Sequence, residues 1–509
     1  MSQFIQSGER RVLLEQVQDA AARAASGLAN LGVGEGDTVA LLLRNDVALF
    51  EATAAAGLVG AYAVPVNWHW RGEEAGYVLR DCGARVLVAH ADLLANVEGH
   101  MPDGLTVLAV PTPPEVAAAY ALDGGRCAVP AGMPAWQDWL GQFPAWDRPP
   151  AASRGSMIYT SGTTGHPKGV QRQPAPPEQQ QAIQKNAMRA FGIRAGGRVA
   201  MTGPMYHSAP AAYGRLAFQV GCDILLLPRF EPEGLLQAIA EHRISHMHVV
   251  PTMFVRMLKL PEAVRARYDL SSLEYVIHGA APCPPEIKRR MIEWWGPVIH
   301  EYYGSTEAGI VTVSSSEDWL GRPGTVGQVL EGRDIGIFDD QGNLLPTGES
   351  GEIYFSLGSL TDFTYHNADE KRREIGRGNM VTNGDVGYLD AEGYLYLNDR
   401  KRDMVISGGV NIYPAEIEAV LHEMPGVHDC AVFGIPDEEF GESLAAAVQI
   451  DSGAALDEAG VQAWLRERVA GYKVPRVVAF HRDLPREDSG KIFKRKLREP
   501  YWREAGRSI

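Results

Sequence analysis

The sequence predicts an α/β protein with largely parallel sheets, because segments of helical periodicity alternate with short apolar runs. Residues 12–31 carry apolar side chains at helical spacing and end at Gly32, which is typical of an amphipathic helix. Residues 38–43 form a short apolar run of the kind found in buried strands. The same alternation continues, with helices expected at 46–60 and 73–82 and strands at 61–66 and 85–89.

The middle and the end of the chain extend this pattern. Further strands are expected near 198–202, 222–227, 247–250 and 274–278. Residues 325–356 contain short strands and turn signals such as DDQG and PTGESGE, which predicts a small β subdomain. The last α/β segment begins near Arg402, with a strand at 430–435 and a helix at 456–470. Residues 111–150 are rich in Pro, Ala and Gly, so we expect a long irregular excursion on the surface.

Together these patterns predict two α/β regions, then the small β subdomain, then a last α/β segment. A length of 509 residues is ample for this organisation. The formal charge of −15 argues against a general affinity for nucleic acid or for an anionic membrane, since both favour a basic surface.

Cysteine usage and hydropathy indicate a cytoplasmic protein. The five cysteines form no CxxC pair and no metal pattern, so we expect reduced, small hydrophobic residues: Cys82, Cys127, Cys222, Cys283 and Cys430. The N-terminus, MSQFIQSGERRV, lacks the apolar core of a signal peptide. No run of about 18 apolar residues predicts a membrane span. The sequence fixes no oligomeric state, and a homodimer is compatible with it.

A loop rich in glycine and hydroxyl residues, Tyr159-Thr-Ser-Gly-Thr-Thr-Gly-His-Pro-Lys-Gly169, follows an expected strand start at 156–159. Its glycines allow close backbone approach, and its hydroxyl groups, N–H groups and Lys168 suit phosphate oxygens. It is not a Walker A loop, because no Gly-Lys-Ser/Thr follows at the required spacing. A plain surface loop has the same composition, so composition alone leaves both interpretations open.

The loop closely resembles the signature of the adenylate-forming (ANL) superfamily, which comprises acyl-CoA synthetases, adenylation domains and luciferases. By this resemblance, its phosphate-binding residues are Thr160, Ser161, Gly162, Thr163, Thr164 and Lys168. At least six motifs follow in the order of that family, and the resemblance covers nearly the whole chain. It implies a large N-terminal domain, residues 1–400, with two layered α/β subdomains and the small β subdomain, followed by a small, mobile α+β C-terminal domain, residues 401–509. ATP, Mg²⁺ and coenzyme A are the implied cofactors, and a small-molecule carboxylic acid is the implied substrate.

Three motifs imply the nucleotide site. His278-Gly-Ala-Ala-Pro282 resembles the adenine-binding turn, whose floor would be Gly279, Ala280 and Ala281. Tyr302-Tyr-Gly-Ser-Thr-Glu-Ala-Gly309 implies that Tyr303 stacks on adenine, Thr306 contacts the α-phosphate and Glu307, together with Thr164, holds Mg²⁺. Asn383-Gly-Asp385 implies that Asp385 binds the ribose hydroxyls. Asn383 stands where relatives usually have Thr, and the usual nearby Trp is missing.

The C-terminal motifs imply a hinge and two alternating active-site elements. Arg400 would reach the ribose or the phosphates, and residue 402 would be the hinge. Gly408 and Gly409, in the 407–411 loop, would line the tunnel for the thiol acceptor. Lys491 would bind the substrate carboxylate and the α-phosphate during adenylation. Lys473 would meet a phosphate of coenzyme A.

The catalytic residues implied in this way are Lys491, Thr306, Glu307 and His207. His207 matches a position near the acyl pocket in relatives, and a buried core histidine is the competing interpretation. The reaction would form an acyl-adenylate with release of pyrophosphate, and the acyl group would then pass to coenzyme A. Adenylation that ends in an amide or in a carrier-protein thioester is one alternative. An inactive nucleotide-binding scaffold protein is another.

The acyl pocket is expected along His207–Gly214, a segment of mostly small residues. The apolar segment 248–254 is its expected neighbour. We therefore expect a sizeable hydrophobic acid, either a medium or long fatty acid or one that bears a ring. No arginine is obviously placed in the sequence to bind a second carboxylate of the substrate.

Overall fold

The computed structural model describes residues 3–152, 154–160, 167–400, 403–407, 410–437, 440–486 and 492–504. The fold class is α/β, as predicted, with a large N-terminal part and a small C-terminal part. Two short 3₁₀ turns occur, at Ala91–Asn96 and Gly471–Lys473.

The helices lie mostly between consecutive strands, as in an α/β protein. Their bounds are α1 Leu14–Asn30, α2 Val47–Leu58, α3 Glu73–Asp81, α4 Pro114–Ala119, α5 Gly124–Cys127, α6 Trp136–Leu140, α7 Pro177–Phe191, α8 Ser208–Gln219, α9 Pro232–His242, α10 Pro251–Leu258, α11 Glu262–Arg265, α12 Pro285–Trp295, α13 Ser316–Gly321, α14 Asp369–Glu374, α15 Pro414–His422, α16 Glu458–Arg466 and α17 Lys494–Glu504. Helices were predicted at the positions of α1, α2, α3 and α16, and all four are present.

The strands form four sheets. Their bounds are β1 Phe4–Ser7, β2 Arg10–Leu13, β3 Thr38–Leu42, β4 Tyr62–Pro65, β5 Val86–His90, β6 Thr106–Val110, β7 Ile158–Thr160, β8 Lys168–Arg172, β9 Arg198–Met201, β10 Asp223–Leu226, β11 His246–Val249, β12 Tyr275–His278, β13 Ile299–Ser305, β14 Gly309–Ser314, β15 Thr325–Val329, β16 Ile335–Phe338, β17 Gly351–Ser356, β18 Phe363–Tyr365, β19 Gly376–Arg377, β20 Met380–Leu389, β21 Tyr394–Arg400, β22 Val405–Ser407, β23 Val410–Ile412, β24 Val427–Asp437, β25 Gly441–Ile450 and β26 Val477–His481. The strands predicted at β3, β4, β5, β9, β10, β11, β12 and β24 are all present.

Two stretches of parallel sheet form the α/β layers. The first has the order β4-β3-β5-β6. The second runs β13-β12-β11-β9-β10-β1, and every neighbouring pair in it is parallel. Their strands are buried on both faces because helices cover them, so they read in the sequence as continuous apolar runs.

The β region is larger than the sequence predicts. The expected subdomain at 325–356 corresponds to β15, β16 and β17, but these strands belong to an antiparallel array that spans residues 309–400. That array continues from β13 through β14, β15, β21, β20, β17 and β16, so it shares one sheet with the parallel strands. A buried cluster that includes Val311, Ile353 and Phe355 packs against it.

The prediction of an irregular surface excursion at 111–150 is wrong. The segment contains three short helices, and α6 buries Trp136, Trp139 and Leu140 in the main core. The indole N–H of Trp136 donates a hydrogen bond to Glu51 Oε2 at 2.7 Å, deep inside the molecule. Burying two indole rings gains enough apolar contact to order a segment whose Pro and Gly content resembles a loop.

The C-terminal part has its own sheet and core. The sheet order is β23-β22-β25-β24, with β26 parallel to β25, and helices α15, α16 and α17 pack on it. The large sheet ends its last strand at Arg400 and β22 begins at Val405. The division into domains at 400 and 401 stays a prediction. Within the described ranges, no helix has the length and apolarity that a membrane crossing requires.

Candidate active site

A cavity of about 1170 Å³ opens where several parallel strands end. Thr202, Val250, Ala280 and Thr306 line it, and each lies just beyond the carboxyl end of a strand, namely β9, β11, β12 and β13. In open α/β sheets, ligands bind outside the carboxyl ends of the strands. Helices α7 and α8 supply the facing wall. The cavity therefore has the position expected of a substrate site.

The predicted phosphate loop is held between two paired strands. Thr160 ends β7, Lys168 begins β8, and the two residues pair directly across this antiparallel ladder. Both line the cavity. The residues Ser161, Gly162, Thr163 and Thr164 lie outside the described part of the chain. Lys168 Nζ lies 5.9 Å from the centre of the Tyr365 ring, so the frame of the loop presents a positive charge to the cavity.

Thr306 and Glu307 follow β13 and are fixed by an arginine from the three-stranded antiparallel sheet β18-β8-β7. Arg172, at the end of β8, donates hydrogen bonds to the carbonyl oxygens of Thr306 at 3.0 Å and Glu307 at 2.6 Å, and also to that of Thr361 at 3.0 Å. Burial lowers the pKa of Arg172 to about 10, and the charge of Glu307 opposes that change. A guanidinium of this geometry holds three backbone groups at once.

The carboxylate of Glu307 faces the cavity, and its Oε1 accepts a hydrogen bond from the Tyr365 hydroxyl at 2.9 Å. Burial and the charge of Glu307 raise the pKa of Tyr365, which keeps this hydroxyl a donor at neutral pH. The described residues contain no cluster of three His, Cys, Asp or Glu side chains able to hold a metal. A single carboxylate fits Mg²⁺ that is shared with phosphate oxygens, because Mg²⁺ keeps several ligands from substrate and water.

Tyr303 and Asp385 come together although they are far apart in the sequence. The phenol of Tyr303 donates a hydrogen bond to Asp385 Oδ2 at 2.7 Å, and both residues are buried. Asp385 also pairs with Arg400 across β20 and β21. The side chain of Arg400 lies outside the described part. The structure thus brings the residues predicted for adenine and ribose to one place.

The expected adenine floor is a tight turn after β12. A Cβ atom on Gly279 would lie 2.4 Å from the Tyr302 ring, so only glycine fits against that ring. Ala280 adopts a φ of 68°, which is uncommon for a residue with a side chain. Ala280 lines the cavity, and Ala281 follows it in the same turn.

His207 lies immediately before α8 and lines the cavity. The next residue, Ser208, accepts a hydrogen bond from the Thr306 hydroxyl at 2.9 Å, which ties the start of α8 to the predicted α-phosphate site. Behind it, His248 is hydrogen-bonded to Tyr302 at 3.1 Å. Burial lowers the pKa of His248 to about 4, and the charge of His207 adds to this effect.

The remaining predicted site residues lie away from the cavity or outside the described ranges. Lys473 forms an ion pair with Glu416, at 2.6 Å, within the C-terminal part. Gly408, Gly409 and Lys491 lie outside the described residues. Their assignments stay predictions from the resemblance.

The chain was compared with family models and with known proteins. The model of the AMP-binding enzyme family matches residues 3–361, and that of the AMP-binding enzyme C-terminal domain matches residues 416–491. The chain belongs to this family. The predicted membership of the adenylate-forming superfamily, of the acyl-CoA synthetase type, is thereby confirmed.

Known members of the AMP-binding enzyme family resemble the chain over nearly its whole length. It is 32% identical to the long-chain fatty acid–CoA ligase FadD13 of Mycobacterium tuberculosis over 507 residues, 97% of this chain and 94% of that one. It is 34% identical to a feruloyl-CoA synthase of Amycolatopsis over 493 residues, 94% and 92% of the two chains. The structure of the amide bond synthetase McbA of Marinactinospora thermotolerans superposes with a TM-score of 0.83 at 25% identity, covering 98% and 97%.

Sequence reasoning missed three arginines in the AMP-binding domain. Arg172, Arg215 and Arg333 all line the cavity. Arg215 lies on α8 directly after the segment expected to form the acyl pocket, and it lines the cavity, although the sequence did not mark it as a residue for a second carboxylate. An isolated arginine in an amphipathic helix has no sequence signature, and only the packing reveals which way it points.

Proposed function

We propose that the protein activates a carboxylic acid with ATP as an acyl-adenylate and then transfers the acyl group to coenzyme A. The observation that carries this proposal is the meeting of Thr306, Glu307, Lys168 and His207 around one cavity. Membership of the AMP-binding family and full-length similarity to acyl-CoA ligases support the same chemistry.

In the first half-reaction a carboxylate oxygen of the acid attacks the α-phosphorus of ATP. A carboxylate–phosphorus bond forms, the bond from the α-phosphorus to the bridging oxygen breaks, and pyrophosphate leaves with that electron pair. Thr306 would hold the α-phosphate, with its hydroxyl kept in place by Ser208. Lys168 would bind the phosphates that leave, and Lys491 would neutralise charge at the attacked phosphorus.

Glu307 is the residue that would hold Mg²⁺ in this site. The ion would neutralise phosphate charge as it builds up on the transferred group. Tyr365 keeps one carboxylate oxygen of Glu307 fixed, and Arg172 fixes its backbone. Preorganising the ligand in this way reduces the reorganisation that the reaction would otherwise need.

The nucleoside would lie between the turn at Ala280 and the buried pair of Tyr303 and Asp385. An aromatic ring offers a stacking face to adenine, and a carboxylate accepts from two ribose hydroxyls. The phenol of Tyr303 already donates to Asp385, so one donor orients the carboxylate before the nucleotide arrives.

In the second half-reaction the thiol of coenzyme A attacks the carbonyl carbon of the acyl-adenylate. A carbon–sulfur bond forms, the carbon–oxygen bond to AMP breaks, and the thiol proton passes to solvent. The proposed motion about residue 402 would remove Lys491 and bring in the loop with Gly408 and Gly409. Lys473 would contact a phosphate of coenzyme A after leaving its pair with Glu416.

The acid is proposed to be sizeable, with an apolar body. The cavity wall includes Phe191 at the end of α7, Ala211 and Ala212 on α8, and Met253 on α10. These small and apolar side chains leave room and favour a hydrocarbon chain or ring.

An amine is the second candidate acceptor, and the observation that favours it is the structural similarity to an amide bond synthetase. A thiol and an amine differ in the product they give from the same adenylate. The fold alone does not distinguish them.

The decisive experiment incubates the protein with ATP, Mg²⁺ and a panel of acids, with coenzyme A or an amine as the acceptor. Pyrophosphate release and product masses are recorded. We expect acyl-CoA products and loss of most activity in Lys491→Ala. An amide product with no thioester would show that the acceptor is an amine and not coenzyme A. Equal activity in Lys491→Ala and the wild type would overturn the catalytic assignment, and no pyrophosphate with any acid would favour the scaffold alternative.

A further inference from the structure

Arg215 lies in the cavity wall without a partner among the residues that the structure describes. It is on α8, it is half-buried, and it lines the cavity. No hydrogen bond or ion pair joins its guanidinium to any other described side chain or carbonyl group. A guanidinium has five N–H donors, so the Arg215 side chain can donate several hydrogen bonds to a ligand in the cavity.

None of the carboxylates that line the cavity forms an ion pair with Arg215, and each of them has another partner. Glu307 accepts from Tyr365, Glu331 pairs with Arg189, and Glu374 pairs with Lys371. These are the three carboxylates among the described lining residues. The wall at Arg215 therefore keeps an excess of positive charge.

Two neighbouring arginines increase that excess. Arg172 uses its donors on backbone carbonyl groups, and Arg333 donates to the carbonyl of Ser356 at 3.2 Å. Carbonyl groups satisfy donors but do not cancel charge. Burial lowers the pKa of Arg215, and the charges of Arg333 and Arg215 both help to lower the pKa of Arg172. Arg215 and Arg333 therefore place positive charge near Arg172, and the carboxylates of Glu307 and Asp362 offset part of it.

An unpaired charge in such a wall is costly unless a ligand supplies its partner. Removing a cation from water costs several kcal/mol even in real proteins, by order of magnitude, and a bound carboxylate offsets that cost. A bidentate pair between arginine and a carboxylate is among the strongest charge-assisted hydrogen bonds. The geometry of the wall thus favours an anionic group in the cavity next to Arg215.

The position of Arg215 on α8 distinguishes this anion from the reacting carboxylate. Ser208, Ala211, Ala212 and Arg215 follow helical spacing and all line the cavity, so they share one face. Ser208 is bound to Thr306, which marks the reacting end. Arg215 lies seven residues further along, or roughly 10 Å along the helix axis. The stretch between them is apolar.

We propose that the acid carries a second carboxylate, at the end remote from the reacting one, and that Arg215 binds it. The proposal rests on the proposed function and specifies the substrate class of the same site. The substrate would be an α,ω-dicarboxylic acid or a ring-bearing acid with a distal carboxylate, with an apolar body between the two acidic groups. This modifies the expectation of a purely hydrophobic acid without changing the predicted size.

The test compares diacids with monoacids of equal length. Octanedioate and decanedioate are set against octanoate and decanoate in the wild type, Arg215→Met, Arg215→Lys and the control Arg194→Met. Arg194 is exposed and pairs with Glu274, so its loss leaves the cavity unchanged. The readouts are kcat/KM for pyrophosphate release, KM for ATP and, independently of turnover, the Kd of each acid by calorimetry.

We expect the wild type and Arg194→Met to prefer the diacids. Arg215→Met should lose roughly 10- to 100-fold in kcat/KM and in affinity for the diacids, through KM, while monoacids are unaffected or improved. Arg215→Lys should retain an intermediate preference, because it keeps the charge without the planar fork. The lysine variant and the wild-type binding data also keep the test valid if Arg215→Met does not fold.

Three results would overturn the proposal. A wild type that binds monoacids as tightly as diacids would do so. An equal loss of kcat/KM for all acids in Arg215→Met, together with a raised KM for ATP, would also do so, because it would assign Arg215 to nucleotide binding. An unchanged diacid preference in Arg215→Met would be the third. If no acid releases pyrophosphate, the proposed function has failed, and the calorimetric comparison still decides whether Arg215 binds the distal carboxylate.

Discussion

The phenol of Tyr303 is hydrogen-bonded to the carboxylate of Asp385 at 2.7 Å, although three strands of the same sheet separate the strands that carry them. Tyr303 is on β13 and Asp385 on β20, with β14, β15 and β21 between them. Four strand spacings in a flat sheet would separate the two backbones by about 19 Å. Neither side chain spans such a gap, so this part of the sheet curls back on itself.

The curl explains why the proposed nucleotide site is buried. It brings the two residues to the same point from strands that are remote in the sheet, and the Phe355 ring packs near that of Tyr303 at 6.2 Å. The cluster of Val311, Val326 and Leu395 fills the inside of the curl. The position of the Tyr303–Asp385 pair therefore depends on this apolar cluster as well as on the hydrogen bond between the two residues.

We predict that Tyr303→Phe weakens ATP binding more than it slows turnover. Its ring would still stack, but Asp385 would lose the donor that orients it. Such a bond is worth roughly 1.5–3 kcal/mol, so KM for ATP should rise about 10- to 100-fold. Steady-state kinetics against ATP measure this. Tyr354→Phe is the control, since Tyr354 lies on β17 of the same sheet, where its ring packs against Phe338. An unchanged KM for ATP in Tyr303→Phe would contradict the role given to Asp385.

We predict that Lys288→Met destabilises the fold, although Lys288 does not line the cavity. Lys288 is completely buried and its Nζ donates to Glu301 Oε2 at 2.6 Å. Removing one partner of a buried pair leaves an uncompensated charge and costs about 3–5 kcal/mol. Thermal unfolding should therefore begin at a lower temperature in Lys288→Met. The double variant Lys288→Met with Glu301→Leu should recover part of the loss, and the exposed neighbour Arg289→Met should behave as the wild type.

We predict that Arg172→Gln lowers kcat by roughly 100-fold while the protein stays folded. Arg172 fixes the carbonyl groups of Thr306 and Glu307, and displacing catalytic groups by about 1 Å costs a factor of this size. Arg172→Lys retains the charge but cannot span three carbonyl groups, so it should lose nearly as much. Pre-steady-state pyrophosphate release and circular dichroism give the two readouts. A lysine variant with full activity would mean that charge alone matters.

We predict that His248 makes the fold sensitive to acid. Burial holds the pKa of His248 at about 4, below the 6.5 of an unfolded histidine. The unfolded chain therefore binds the proton first as the pH falls. The neutral His248 contributes full stability above pH 6.5, and this is lost progressively between pH 6.5 and 4, by roughly 3 kcal/mol in total.

The measurement for this prediction is the midpoint of thermal unfolding against pH. His248→Gln, which can still bond to Tyr302, should show a shallower decline between pH 6.5 and 4 than the wild type. His207 and His278 face the same region and remain in the variant. The exposed His69→Gln is the control and should keep the wild-type slope. Identical slopes in all three proteins would show that His248 is not the group that titrates.

Several residues that the sequence predicted for the nucleotide meet at one cavity because they belong to short motifs at strand ends, and their binding roles stay predictions. Thr160, Lys168, Ala280 and Thr306 all line one cavity, where the resemblance implied a common site. The backbone fixes such residues directly, since a strand end and its turn determine where the next side chain points.

Other parts depend on contacts that no local pattern records. Arg172 reaches Glu307 across 135 residues of sequence, and this contact requires β8 and β13 to be neighbours in space. Trp136 lies in a segment whose Pro and Gly content suggests a loop, and only its burial against α1 and Glu51 orders it. The extent of the antiparallel array was underestimated for the same reason, because β15 pairs with β21, which lies far along the chain.

Helix α8 has a consequence for how this protein could change its substrate. Its first residue, Ser208, is tied to Thr306, and the residues that follow, Ala211, Ala212 and Arg215, line the cavity. The contact with the proposed reaction site and the contact with the body of the acid are therefore made at different points along the helix. Substitutions after the first turn would leave the contact between Ser208 and Thr306 in place. A new acid would require a few substitutions on one helical face rather than a new fold. Selectivity in this protein would then evolve, or be engineered, independently of its reactivity.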